Sequence, residues 1–188
     1  MRLFQNKKWD NPKKWFRRLL GKGEPPTALS RIEAYLSERG VSYQLLPHPD
    51  AFMASELAES LHVTGKRVVK VVIVRAKHRY SMAVLPSHLQ INLERLARLL
   101  RVNHVSLATE TELKSLFPDC EIGTMPPLGN LYGMPVYVDL SLTHQPVIYF
   151  AAGTHHDVIE MHYRDFDRLV KPEYGVFTTV PTGWAVAI

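Results

Sequence analysis

Lys70 stands in the middle of an apolar, β-branched run, Val68-Val69-Lys70-Val71-Val72-Ile73-Val74. An unpartnered buried ammonium is very costly, so this side chain either emerges at a wet sheet face or sits in a cavity where its charge has a counterpart. In the second case it is placed to bind a phosphate or a developing oxyanion. A second candidate is the stretch Gly123-Thr124-Met125-Pro126-Pro127-Leu128-Gly129. Two glycines around a rigid diproline can hold backbone N–H groups toward a ligand, because proline fixes φ and glycine permits close approach. An ordinary surface loop reads the same way. A third is Gly153-Thr154-His155-His156-Asp157, directly after an apolar strand, where polar groups can face a pocket.

Other chemistries find little support. A metal site would pair His155 or His156 with His162, but no third ligand is evident and the spacing matches no standard site, so no metal is expected. Cys120 lacks the setting of a nucleophile elbow or a helix N-terminus. The chain has no G-x-S-x-G, no P-loop and no G-x-G-x-x-G, so serine hydrolysis, NTP hydrolysis and dinucleotide chemistry have no motif, and no cofactor is expected.

The elements that must position these residues follow from periodicity. Leu29, Ile32 and Leu36 mark a helix ending before Gly40, followed by a strand at Tyr43–Leu46 and a turn at Pro47-His48-Pro49-Asp50. Ala54, Leu57, Ala58 and Leu61 mark a second helix. Val68–Val74 reads as a strand buried on both faces, joined through Lys77-His78-Arg79 to a strand at Tyr80–Pro86. Asn92 caps a helix carrying Leu93, Leu96, Ala97 and Leu100. Val105–Ala108 is extended, and Thr109 with Glu112 forms a capping box for the next helix. A long Gly/Pro segment, Pro118–Pro135, precedes strands at Val136–Asp139, Val147–Ala151 and Val158–His162. Asp165–Val170 is a last short helix, stopped by Pro172. The expectation is an α/β fold: one compact domain with a mixed, mostly antiparallel sheet flanked by helices.

Charge separates this body from its N-terminal segment. The 188 residues carry a formal charge of +5, and the sequence pI is about 9.3. Residues 1–26 hold eight basic and two acidic residues, while the remainder holds 15 basic and 16 acidic, so the body is close to neutral. Within the segment, Asn11-Pro12 is a helix start, and Trp15, Phe16, Leu19 and Leu20 share one face while Lys13, Lys14, Arg17 and Arg18 fall elsewhere. This short basic amphipathic helix should order only against something: RNA, a membrane surface, a partner protein or its own domain. Gly23-Glu24-Pro25-Pro26 reads as a linker. One cysteine cannot make an intramolecular disulfide, no apolar run approaches a membrane span, and the N-terminus lacks the apolar region of a secretory signal. A cytoplasmic protein is expected.

Taken in order, His48-Pro49-Asp50-Ala51-Phe52, the helix with Glu56 and Ala58, Arg67-Val68-Val69-Lys70, Val84-Leu85-Pro86, the Gly123–Pro127 loop, Val136-Tyr137-Val138-Asp139 and Ala152-Gly153 resemble the YbaK/ProX aminoacyl-tRNA deacylases. These are free-standing relatives of the editing domain of bacterial prolyl-tRNA synthetases. The resemblance spans about residues 28–172, and it implies a curved mixed sheet enclosing the site. The implied domains are a basic extension at 1–26, a deacylase domain at 27–175 and a C-terminal extension at 176–188.

The implied activity is trans-editing: hydrolysis of the ester that joins a wrong amino acid to tRNA. Lys70 matches the family's functional lysine and Gly123 to Pro127 its substrate loop. Phe52, Thr124, Met125, Gly129, Gly153 and His155 fall at substrate-binding positions, with His155 preferred to His156. The family is thought to let a terminal hydroxyl of the tRNA assist the attacking water. Mischarged tRNA is the implied partner, and a synthetase or elongation factor is a candidate second one. Cysteine-clearing members have serine where this chain has Ala151-Ala152, and alanine-clearing members tend to have asparagine where it has Val71, so neither specificity carries over. A non-catalytic module holding tRNA ends in the same pocket is the alternative.

Overall fold

A computed structural model describes residues 26–47 and 54–181. The expected basic helix, most of the linker, the His48–Phe52 motif and the last seven residues lie outside the described residues.

Helix α1 (Ala28–Glu38) starts at Thr27, whose hydroxyl accepts from the Ser30 amide, and ends ahead of Gly40 at φ +60°. Ala28, Ile32, Tyr35 and Leu36 recur at helical spacing and form its buried face. After it come β1 (Tyr43–Pro47), α2 (Ala54–Ser60) and the long hairpin β2 (Val69–Ala76) and β3 (Arg79–Pro86). The short β4 (Gln90–Ile91) leads into α3 (Leu93–Leu99), capped by the Asn92 side chain on the Arg95 amide. β5 (Ser106–Leu107) precedes α4 (Glu110–Leu116), and the expected Thr109–Glu112 capping box is complete. β6 (Val136–Asp139), β7 (Val147–Ala151), β8 (Asp157–His162), α5 (Tyr163–Val170), β9 (Glu173–Gly175) and β10 (Thr178–Thr179) finish the order.

The strands form a three-stranded sheet β1-β8-β7, a five-stranded sheet β5-β2-β3-β6-β9 and the pair β10-β4. Pairing is antiparallel except at β3–β6 and β6–β9. The α/β class with a mixed, mostly antiparallel sheet is therefore as the periodicity predicts, but the sheet is divided. One parallel bridge, Val68 to Tyr149, joins the two larger parts.

Three apolar clusters hold these layers together. The main one packs Ile32 and Leu36 of α1 against Val69, Ile73, Phe150 and Ile159. A second lies on the other face of the five-stranded sheet, where Leu96 and Ala97 of α3 meet Val74, Leu85 and Phe177. In the third, Leu57 and Ala58 of α2 cover Val68, Tyr149 and Val158. Strand β2 is thus apolar on both sides because it is covered on both sides.

Three features depart from the sequence reading. The segment Pro118–Pro135 is not all loop, since Gly129–Tyr132 forms a 3-10 turn. Strands β4, β9 and β10, of two or three residues, are too short to leave a periodic signal. The packed unit also runs past the boundary expected at residue 175. Phe177 is fully buried, its amide donates to Asp139 Oδ2 at 2.9 Å, and Thr178 pairs with Ile91. Among the described residues no helix is long and apolar enough to cross a membrane.

Candidate active site

The Val68–Tyr149 bridge decides where Lys70 points. Both bridge residues belong to the α2 cluster, and their flanking residues Val69 and Phe150 belong to the main core. Side chains alternate along a strand, so two residues further on Lys70 and Ala151 return to the α2 face at the same level. No pairing between β2 and β7 continues past the bridge among the described residues.

Lys70 is half-buried just past the bridge. Its Nζ donates to the Leu89 carbonyl at 2.7 Å and lies 3.5 Å from that of Ser87. Among the described residues no carboxylate lies within ion-pair reach of it. Burial lowers its pKa from the ordinary lysine value, because removing solvent disfavours the charged form. Among the described residues its charge is held by carbonyl dipoles and not neutralised by a carboxylate.

The glycine–proline loop meets the end of β7 just beyond this point. Glu121 N donates to Gly153 O at 2.9 Å, and Gly153 N donates to Thr124 O at 3.1 Å. Gly123 is exposed at φ +93°, a conformation that favours glycine. Among the described residues the Gly123 and Met125 amides donate to no backbone carbonyl, which leaves them as candidate oxyanion donors. The side chains of the loop behave otherwise. Thr124 is buried with its hydroxyl on Glu121 O at 2.8 Å, and Met125 lies in the main core, so both can offer a ligand only backbone groups. Pro126 and Pro127 are buried and fix the course of the chain. Gly129 is also buried: a Cβ there would lie 2.5 Å from Val136 Cγ2, so packing alone accounts for this glycine.

Gly153 adopts φ +101°, and a Cβ on it would stand 2.3 Å from the Cβ of Ala28. Helix α1 therefore presses directly on the turn after β7. Thr154 and Asp157 close that turn, with Thr154 Oγ1 donating to Asp157 Oδ2 at 2.7 Å. His155 is half-buried. Its amide donates to Glu121 Oε2 at 2.7 Å, and its Nε2 lies 3.9 Å from the same oxygen. His156 is exposed, and His162 stands at the far end of β8, so the histidines considered for a metal do not converge.

The structure thus gathers Gly123, Thr124, Met125, Gly153 and His155 around one pair of backbone hydrogen bonds, with Lys70 on the adjoining strand. Phe52 lies outside the described residues. Two contributors escaped the sequence reading. Glu121 ties the loop to His155, and Arg31 on α1 forms a buried ion pair with Asp119 while its Nη2 donates to Leu131 O at 2.7 Å. Neither has a local signal, since each partner is remote along the chain.

Comparison with known proteins shows the family and the fold. A family model described as aminoacyl-tRNA editing domain matches residues 48–169, which include Lys70, the Gly123–Gly129 loop and Gly153–His155. No curated protein matches the chain. Among solved structures, hypothetical protein APE2540 is similar at 21% identity and a TM-score of 0.73, over 79% of this chain and 99% of that one. A proposed trans-editing enzyme for prolyl tRNA synthetase is similar at 20% identity and a TM-score of 0.71, over 83% and 99%. A proposed signal transduction protein from Marinobacter aquaeolei VT8 shares 15% identity at a TM-score of 0.65, over 83% of this chain and 31% of that one. These structural likenesses establish the fold. With the family model spanning most of the body and every described site element, the chain belongs to the aminoacyl-tRNA editing domain family.

Proposed function

We propose that the protein hydrolyses the aminoacyl ester of mischarged tRNA in trans. The observation that carries this reading is Lys70: a half-buried ammonium held by two backbone carbonyls, on the strand bridged to β7, whose far end hydrogen-bonds to the loop. Water attacks the ester carbonyl carbon, and the carbonyl oxygen becomes a tetrahedral oxyanion within reach of the Gly123 and Met125 N–H groups. The bond from carbon to the ribose oxygen then breaks, and that oxygen takes the proton released by the water. Lys70 holds the phosphate or ribose of the terminal nucleotide, which fixes the ester against the loop. An activated ester needs only positioning and oxyanion stabilisation, so no covalent nucleophile is required. The acyl group is assigned to His155 and, by the family resemblance alone, to Phe52.

In this reading the protein acts in the cytoplasm, with a synthetase or elongation factor as a further partner. The basic segment 1–26 supplies charge for RNA that the near-neutral body lacks. If so, deleting residues 1–22 flattens the salt dependence of tRNA binding, which otherwise falls with a slope of roughly 0.7–0.9 per phosphate neutralised.

The test is a deacylation screen over a panel of mischarged tRNAs. Hydrolysis of at least one, lost in Lys70→Ala, supports the proposal. Binding without hydrolysis above the uncatalysed rate favours a tRNA-end binding module, and full activity in Lys70→Ala removes the lysine from the mechanism.

A further inference from the structure

We propose that Gly65 and Ser87 are positioning residues for Lys70, forming a clasp between two turns that fixes the direction of its ammonium. The inference rests on the role given to Lys70 above and adds residues that role does not name.

Lys70 pairs with Leu85 on β3, and its acceptors lie two and four residues further on, at Ser87 and Leu89. The lysine stem therefore runs along the end of β3 onto the turn that follows it. That turn is closed by Leu89 N on Pro86 O at 3.1 Å. Its position is set from outside by the turn ahead of β2. The Ser87 amide is shared between Gly65 O at 3.1 Å and Val68 O at 2.8 Å, and Ser87 Oγ donates to Gly65 O at 3.1 Å.

Gly65 is glycine for contact. A Cβ there would stand 3.0 Å from Ser87 Oγ, 3.2 Å from His88 Cβ and 3.5 Å from His88 N. A side chain there makes the Ser87–His88 turn give by a few tenths of an ångström, and the Ser87 and Leu89 carbonyls that hold Nζ belong to that turn.

The consequence for Lys70 is directional. An ammonium has three N–H donors. With two turned to the carbonyls of one turn, the third is left for an acceptor on the substrate. Carbonyls orient the charge without cancelling it, as a carboxylate would.

The experiment compares wild type with Gly65→Ala, the milder Ser87→Ala, and Lys70→Met. Two readouts are taken: the 1H–15N signal of the Lys70 ammonium, assigned by its absence in Lys70→Met, and kcat and KM for deacylation. Lysine ammonium signals persist only when hydrogen bonding slows proton exchange. We expect Gly65→Ala to fold, to lose the Lys70 signal, and to lower kcat by about 10- to 100-fold with KM little changed. Ser87→Ala should show the same pattern in smaller measure, and it carries the test if Gly65→Ala does not fold. An unchanged Lys70 signal in the folded variants overturns the clasp whatever the activity. A lost signal with wild-type kcat overturns its positioning role. Wild-type activity in Lys70→Met would instead remove the lysine from the mechanism proposed above, and the ammonium signal alone then decides the clasp.

Discussion

The amide of Gly153 donates to the carbonyl of Thr124, and Gly153 itself sits at φ +101° against Ala28. The turn after β7, the glycine–proline loop and helix α1 therefore meet at one residue that has no room for a side chain. Gly153→Ala adds a left-handed strain and an overlap with Ala28, and we expect it to cost about 2–4 kcal/mol. Urea unfolding of Gly153→Ala, alone and with Ala28→Gly, checks this. The second substitution should return the part due to overlap and leave the part due to φ.

Lys70 sets a pH dependence whose sign follows from its burial. Its lowered pKa means the charged form is lost, as pH rises, earlier than for an exposed lysine. Deacylation corrected for the uncatalysed rate should fall on an alkaline limb below the ordinary lysine range, and the limb should be missing from the residual activity of Lys70→Met. Stability moves the other way. Between the lowered folded value and the ordinary unfolded one, the unfolded chain binds more protons, so wild type gains stability relative to Lys70→Met as pH rises through that window.

Cys120 should be chemically silent. Burial pushes its thiol up to about 12, outweighing the opposing effect of its contact with Tyr132 at 3.3 Å. At pH 8 the folded protein should react with a disulfide reagent orders of magnitude more slowly than the urea-unfolded chain. Treatment with an alkylating agent should leave deacylation unchanged. Rapid labelling with loss of activity would return the cysteine to consideration as a nucleophile.

The Arg31–Asp119 pair is the tie between α1 and the segment leading into the loop, with the guanidinium 4.7 Å from the Tyr132 ring centre. Both side chains are only 12% exposed. Arg31→Met strands a buried carboxylate, and we expect a loss of about 3–5 kcal/mol. Arg31→Met with Asp119→Leu should be less damaged than Arg31→Met alone. Thermal unfolding of the single and double variants measures the difference, and a larger loss in the double variant would contradict the pairing.

What could be read from the residues was whatever is encoded locally. Thr109 with Glu112 and Asn92 with the Arg95 amide interact within three positions, so their caps were legible in full. The alternation around Lys70 could not say which face it takes, because both faces of β2 are covered; only the contact of Val68 with Tyr149, from the far side of the chain, distinguishes them. Gly65, Gly129 and Gly153 each have a Cβ position occupied by a neighbour remote along the chain. They differ because their neighbours differ: the Ser87 turn, Val136 and Ala28. Asp139 read as the end of a strand, yet its carboxylate accepts from Ser141 N at 3.0 Å and from Phe177 N at 2.9 Å.

That last bond bears on the order in which the protein can be made. The second apolar cluster joins residues of β2, β3 and α3 to Phe177, and β9 takes its place beside β6 only after β6 exists. During synthesis the hairpin and α3 emerge long before Phe177 can plug the space between them. Until Phe177 docks, their shared apolar surface lacks its plug, and a chain with such a surface exposed is prone to aggregate.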